Sequence, residues 1–278
     1  AIEQQLGLPY LCGIPNWPQT AKNFKKRKNE ILVTHDKSDI PTEVYRTLRA
    51  SLEYTIDSKG PYALVVTSGL EKTGKTLTTL NLAITTAWTG KKVLLVDADL
   101  RRGRLHKELD IKAEKGGLSD VLKGSEHDWR NVVYPSGYDN LDVLPSGKYS
   151  HDLPEMLGSQ QLKRLMDNLR QSYDLILLDS APVSLVADTV QLARICDGTL
   201  ILVDHQNTSF SDVRHAVHRL GDSNIIGFCL NSIEVPRSRS GYYRYGYYGR
   251  YYGQYYYYPY AYRNYEHYGP SDEKVEKS

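Results

Sequence analysis

Gly69 to Thr76 reads GLEKTGKT and fits the pattern G-x-x-x-x-G-K-[ST]. That spacing serves a physical purpose. A tight loop lets successive backbone N–H groups close around phosphate oxygens, and the N-terminus of the following helix adds donors and its positive dipole end. Lys75 reaches the β and γ phosphates of a nucleotide, and Thr76 offers a hydroxyl to Mg²⁺. Gly69, Thr73, Gly74, Lys75, Thr76 and Leu77 are the candidate nucleotide-binding residues. Between its glycines the loop carries Glu71, Lys72 and Thr73, a departure from glycine-rich versions.

Carboxylates are the second ingredient. VLLVDADL carries Asp97 and Asp99, and DLILLDSAP carries Asp179. In an open parallel sheet the C-terminal ends of the strands share one edge with the phosphate loop. A single strand-end aspartate is as readily explained by capping the turn that follows it. Three beside a phosphate loop point instead to Mg²⁺ binding and proton handling. Asp204, at the end of another apolar run, reads as structural.

Those groups meet only if particular elements bring them to one edge. YALVVT (62–67), KVLLVD (92–97), DLILLD (174–179), TLILVD (199–204) and IIGFCL (225–230) are short, nearly continuous apolar runs, as strands buried on both faces are. LDVL (141–144) is a weaker sixth. Helical stretches lie between them at Lys75 to Trp88, Leu153 to Ser172 and Ser209 to Leu220. The alternation predicts a P-loop NTPase of the α/β class, with a mainly parallel, doubly wound sheet and helices on both faces. Ahead of the first run, residues 40–56 should form a helix. Pro41 suits its first turn, and Val44, Leu48, Leu52 and Ile56 recur every four residues along one stripe. Glu43, Arg46 and Arg49 step along a neighbouring face, which by spacing alone reads as a solvated charged flank.

Three zones follow: 1–40, a strand and basic linker; 41–235, the P-loop domain; and 236–278, a tail of Tyr, Gly and Arg. A net charge of +2 over 278 residues implies no global attraction to nucleic acid or membrane. Cys12, Cys196 and Cys229 match no zinc or redox spacing, and the latter two read as buried free thiols in a reducing compartment. No apolar stretch reaches the roughly 18 residues of a membrane helix, and no signal peptide is evident. The chain starts with Ala, so a fragment or processed product is expected. Lys22 to Lys28, KNFKKRK, reads either as solvated linker or as a patch beside an anionic membrane surface.

Lys75-Thr76, DADLRRG (97–103), DLILLDSAPV (174–183) and the tyrosine tail together resemble the bacterial tyrosine kinases associated with polysaccharide export. IEQQLGLPYLCGIP is similar to the segment after the second membrane helix in single-chain members. EVYRTLRASL carries the family's E-x-x-R-x-x-R at Glu43, Arg46 and Arg49, which the resemblance assigns to a subunit contact in a homo-oligomeric ring. LPSGKYSHDLPEML and ARICDGTLILVD are similar to further family stretches. The loop lacks the usual P-G-E-G-K core, and S-A-P follows Asp179 where T-P-P is common. The resemblance implies ATP and Mg²⁺ as cofactors, with Lys75 neutralising phosphate charge and Thr76, Asp99 and Asp179 holding the metal. Asp97 is the expected catalytic base, though Asp97 and Asp99 could exchange roles. It further implies a cognate tyrosine phosphatase, a membrane polysaccharide co-polymerase segment fused upstream or separate, and a place on the cytoplasmic side of the bacterial plasma membrane, this chain being a soluble fragment.

Within that frame the tail acquires a purpose. Tyr, Gly and Arg without apolar periodicity cannot bury enough surface to offset ordering entropy, so the tail should be disordered. It holds 15 of the 23 tyrosines. In a kinase these are the candidate phosphoacceptors: Tyr242, Tyr243, Tyr245, Tyr247, Tyr248, Tyr251, Tyr252, Tyr255, Tyr256, Tyr257, Tyr258, Tyr260, Tyr262, Tyr265 and Tyr268. The resemblance implies transfer in trans, from one subunit's site to a neighbour's tail. A stacking tail for single-stranded nucleic acid is the other reading. Arg244, Arg250 and Arg263 are a thin phosphate footprint for it, and no nucleic-acid partner is expected. A partition-type ATPase switch shares the fold and the D-x-D segment, but it would place a second lysine where Leu70 stands.

Overall fold

Residues 2–16, 32–33, 40–56 and 60–234 are described by the computed structural model. The basic stretch Lys22 to Lys28 and the tyrosine-rich segment 236–278, with every candidate phosphoacceptor, lie outside the described residues.

The chain opens with a short helix α1 (Ile2–Leu6) and strand β1 (Tyr10–Pro15), followed by α2 (Ile40–Thr55). Strand β2 (Tyr62–Ser68) leads through the phosphate loop into α3 (Lys75–Ala87), and then to β3 (Val93–Asp97). Next come the short helices α4 (Leu105–Glu108) and α5 (Leu118–Lys123), and strands β4 (Tyr134–Pro135) and β5 (Leu141–Leu144). The remainder runs α6 (Leu153–Met156), α7 (Gln160–Arg170), β6 (Leu175–Asp179), α8 (Asp188–Ile195), β7 (Gly198–Asp204), α9 (Phe210–Leu220) and β8 (Ile225–Ile233).

The strands form one sheet in the order β1-β8-β7-β2-β6-β3-β5-β4. Every pairing is parallel except β4 with β5. All six expected runs are strands. The strand expected within 1–40 is β1, which joins the same sheet by pairing with β8. Because β6 lies on one side of β2 and β7 on the other, the phosphate loop leaves the sheet where the winding changes direction, the usual place for a ligand crevice.

Strand residues alternate between faces. Ala63, Val65, Val96, Ile176, Leu178 and Val203 share one core with Leu162, Leu165, Met166 and Leu169 of α7 and with Val213, Ala216 and Leu220 of α9. Leu64, Val66, Leu95 and Leu177, also buried, turn to the other face, where α3 lies against β2, β3, β5 and β6. Helix α2 packs on α3 and β1. Of its stripe, Val44, Leu48 and Leu52 are buried, with Tyr45 beside them, while Ile56 lies just past the helix end and is half-buried.

Helix α3 is buried almost all round although it is rich in threonine. Three of its hydroxyls are satisfied within the helix, Thr79 Oγ1 donating to Lys75 O (2.9 Å), Thr85 Oγ1 to Asn81 O (3.0 Å) and Thr86 Oγ1 to Leu82 O (2.8 Å), while Thr76 Oγ1 turns to Asp179 and Thr78 Oγ1 has no partner among the described residues. Back-bonding of this kind lets β-branched polar residues occupy a buried helix.

The expected helix from Leu153 to Ser172 is two helices. Ser159 has extended backbone and accepts a hydrogen bond from Leu162 N on its side chain, so it caps α7 and interrupts what apolar spacing alone would join. Cys12, Cys196 and Cys229 are free and buried, and burial pushes all three thiols up. No helix among the described residues is long and apolar enough to cross a membrane.

Candidate active site

The phosphate loop is held from both ends. At its close, Gly74 precedes α3 at φ 86°, in the left-handed region, and a Cβ there would collide with Asn231 Nδ2. The same Asn231 Nδ2 donates to Thr73 O (2.8 Å), so an amide on β8 pins the loop backbone. Lys72 also has positive φ, 57°, a conformation that costs a non-glycine residue about 1 kcal/mol. Helix α3 has no side-chain cap, which leaves its first N–H groups directed at the loop's mouth. Lys75 is buried, and its Nζ donates to Ser68 Oγ (2.9 Å) and more weakly to Leu70 O (3.5 Å). Burial pulls its pKa down, against the pull of Asp179, Asp99 and Glu71. Thr76 Oγ1 donates to Asp179 Oδ2 at 2.6 Å.

Strand order explains that last contact. β6 lies between β2 and β3, and the register sets Asp179 directly beside Asp97. Asp97 is 0% exposed. Its Oδ2 accepts from Leu105 N (3.1 Å), while Oδ1 has no hydrogen-bond partner among the described residues. Burial, then the charge of Asp179, holds the carboxyl well above the usual range; the N–H groups of Leu105 and Arg104 oppose this. Gly103 forms the roof, where a Cβ would crowd both Ser146 and Asp97 Oδ2. Asp99 is half-buried instead, and its Oδ1 accepts from Arg102 N (3.0 Å). The two aspartates of the D-x-D segment therefore differ: Asp97 is buried beneath Gly103, and Asp99 is half-buried.

The oxygen set suits Mg²⁺. Thr76 and Asp179 are already in contact, Asp99 is close in sequence, and Asp97 keeps a buried oxygen without a partner. Among the described residues no three His, Cys, Asp or Glu side chains converge as a complete metal cage. Mg²⁺ with phosphate substrates needs none, since phosphate and water oxygens complete its octahedron.

Two arginines cross this edge between Asp99 and Gly103. Arg101 Nε pairs with the nearly buried Asp188 Oδ2 (3.2 Å), and Arg102 Nη1 with the exposed Glu71 Oε1 (2.8 Å) of the phosphate loop. Sequence reasoning quoted these arginines without giving them roles and passed over Asn231 and Ser68. An asparagine in the apolar run after IIGFCL carries no signal of its partner, 158 residues away. Asp204 turns inward, accepting from Gln206 N (3.0 Å) and Asn207 Nδ2 (2.9 Å), in keeping with a structural reading. Glu43, Arg46 and Arg49 do not share one solvated face. Glu43 and Arg46 form an ion pair on the helix, while Arg49 reaches Thr85 O on α3.

Comparison with known proteins agrees with this geometry. Residues 71–223 match the AAA domain family. EpsB of Ralstonia solanacearum is 34% identical over 233 residues, which is 81% of this chain and 31% of EpsB. The tyrosine-protein kinase YwqD of Bacillus subtilis (strain 168) is 32% identical over 230 residues, covering 82% of this chain and 94% of YwqD. The kinase domain of Escherichia coli tyrosine kinase ETK superposes with a TM-score of 0.76 at 25% identity, over 86% of this chain and 96% of that domain. The chain spans about a third of the length of EpsB and nearly all of YwqD. With its phosphate loop, paired strand-end aspartates and parallel sheet, the chain belongs to the bacterial tyrosine-protein kinase family.

Proposed function

We propose that this chain is an ATP-dependent protein-tyrosine autokinase whose substrate is the tyrosine cluster of its own C-terminal tail. The observation that carries this most is the register of β6 against β3, which aligns Asp179 and Asp97 beside Thr76 at the mouth of the phosphate loop. Lys75 and the loop N–H groups would bind and orient the phosphates. Mg²⁺, held by Thr76 and through water by Asp99 and Asp179, would supply charge neutralisation at the phosphate oxygens. The tyrosine oxygen bonds to the γ-phosphorus as the bond to the β–γ bridging oxygen breaks, and the hydroxyl proton passes to Asp97. With Oδ2 engaged by Leu105 N–H, Oδ1 is the oxygen left to accept it, and a raised pKa suits a proton acceptor.

Transfer in trans within a ring, with Glu43, Arg46 and Arg49 at the subunit contact, is part of the same proposal. So are a cognate phosphatase, control of exopolysaccharide synthesis and export, and a position at the cytoplasmic face of the membrane beside a co-polymerase segment. Each phosphate adds roughly −1.5 to −2 charges, so a phosphorylated tail would repel its neighbours and dissociate the ring. Sedimentation before and after dephosphorylation should then give different oligomer distributions.

Intact-mass spectrometry with Mg·ATP tests the central claim. Steps of about 80 Da, confined to the tail peptide and absent from Lys75→Met, are expected. Unmodified mass together with continued ATP hydrolysis would favour the switch-type ATPase.

A further inference from the structure

The two arginines after Asp99 are adjacent in sequence and differently bound. Arg101 is fixed to Asp188, whose side chain is 9% exposed, at the start of α8. Arg102 pairs with Glu71, and both side chains stand in solvent, 70% and 41% exposed. An ion pair that open contributes little and exchanges readily for a better partner. Its placement is specific nonetheless. The Arg102 backbone N–H is tied to Asp99 Oδ1, on the side of the site where Thr76 meets Asp179. From there the guanidinium reaches across to the N-terminal half of the phosphate loop. Its two contacts, Asp99 at one end and Glu71 of the phosphate loop at the other, are both close enough to Lys75 to bear on its charge, so Arg102 stands beside the place where Lys75 would meet the outermost phosphate.

We propose that Arg102 is a γ-phosphate-binding residue, and that Glu71 is the partner it leaves when a nucleoside triphosphate enters. A guanidinium meets phosphate oxygens with two parallel hydrogen bonds, stronger than its exposed contact with a carboxylate. Arg102 therefore discriminates triphosphate from diphosphate, and Glu71 sets how readily it moves. Glu71 stands within the span 69–76 that makes the loop recognisable, yet its carboxylate cannot bind phosphate; holding Arg102 gives it a use.

This inference rests on the nucleotide-binding reading above, and the experiment separates the two. Dissociation constants for Mg·ADP and for a methylene-bridged, non-hydrolysable ATP analogue are measured on the full chain by calorimetry, for wild type, Arg102→Ala, Glu71→Gln and the double variant. Arg102→Ala should weaken the triphosphate about tenfold and the diphosphate less than about twofold. Glu71→Gln should raise the preference for triphosphate, and that gain should vanish in the double variant, since the two act as a coupled pair. Both side chains are exposed, so circular dichroism should show all four proteins folded. Equal losses for both nucleotides in Arg102→Ala, or no loss at all, would overturn the assignment while leaving the nucleotide site intact. A wild type that binds neither nucleotide would overturn both.

Discussion

At the C-terminal edge of the strands, polar groups crowd together and bind one another: Lys75 to Ser68, Thr76 to Asp179, Arg102 to Glu71 and Asn231 to Thr73. At the N-terminal edge, a cavity of about 670 Å³ opens between α2, α3 and the starts of β2 and β6, bordered by Arg49, Glu53, Tyr62, Lys91 and Asp174. That open space is at the end without the chemistry. Void volume records where side chains fail to fill, whereas a site for a charged ligand is made of groups that must be held ready and satisfied until it arrives. At the C-terminal edge these groups are held by hydrogen bonds that the protein makes to itself. The N-terminal edge is built for stability: Arg170 Nη2 grips both oxygens of Asp197, which in turn accepts from Ala63 N (2.7 Å).

Substitutions at the C-terminal edge should therefore change activity, and those at the N-terminal edge stability alone. The largest effect is expected at Asp97. Asp97→Asn should slow tail phosphorylation by about a hundredfold or more, as followed by phosphotyrosine immunoblot. The same variant should melt at a higher temperature. With its folded pKa raised, Asp97 contributes stability that is fully present below its unfolded value of about 3.9 and lost as pH climbs through the folded value. The gain in Tm should be greater at pH 8 than at pH 4; equal gains would count against a buried carboxyl with a raised pKa.

Asn231→Ala removes the amide that pins the loop and should cost about 1–2 kcal/mol in urea unfolding, with weaker nucleotide binding in parallel. At the opposite edge, Arg170→Ala should cost about 1 kcal/mol and leave the phosphorylation rate per folded molecule unchanged. A rate loss there would show that the two ends are coupled. Smallest of all, Lys72→Gly relieves a left-handed residue but adds chain entropy to the unfolded state, for a net gain of about 0.5 kcal/mol, readable as a shift in urea midpoint.

The parts legible in the sequence were those with a period or a fixed spacing. Continuous apolar runs marked five strands of the parallel sheet and, more weakly, β5, because a strand buried on both faces has no polar alternation to obscure it; β1 was read only as a strand somewhere in residues 1–40. The phosphate loop and the aspartates of β3 and β6 were legible because they sit at set distances from those runs. What could not be read depended on chain folding back on itself. Two-residue β4 is too short to carry a pattern. Ser159 splits α6 from α7 by a capping contact that leaves only a serine in the sequence. The difference between Asp97 and Asp99 arises from the roof at Gly103, and the bond from Asn231 to the loop joins residues at opposite ends of the domain. Arg49 shows the converse: its three-residue spacing from Arg46 suggests a shared face, yet its long side chain turns back to α3.

The bond from Asn231 to Thr73 also gives the first strand a mechanical meaning. β1 lies alongside β8, with Gly13 opposite Leu230, Pro15 opposite Ile233, and Asn16 N bound to Ile233 O (2.9 Å). Asn231 falls inside that stretch of ladder. A pull on the chain near residue 16 thus has a short load path, through the hydrogen bonds of one strand and across a single amide to the carbonyl of Thr73. The phosphate loop is thus tethered, through Asn231 and β8, to the end of β1, and a load on that strand has a direct route to the loop backbone.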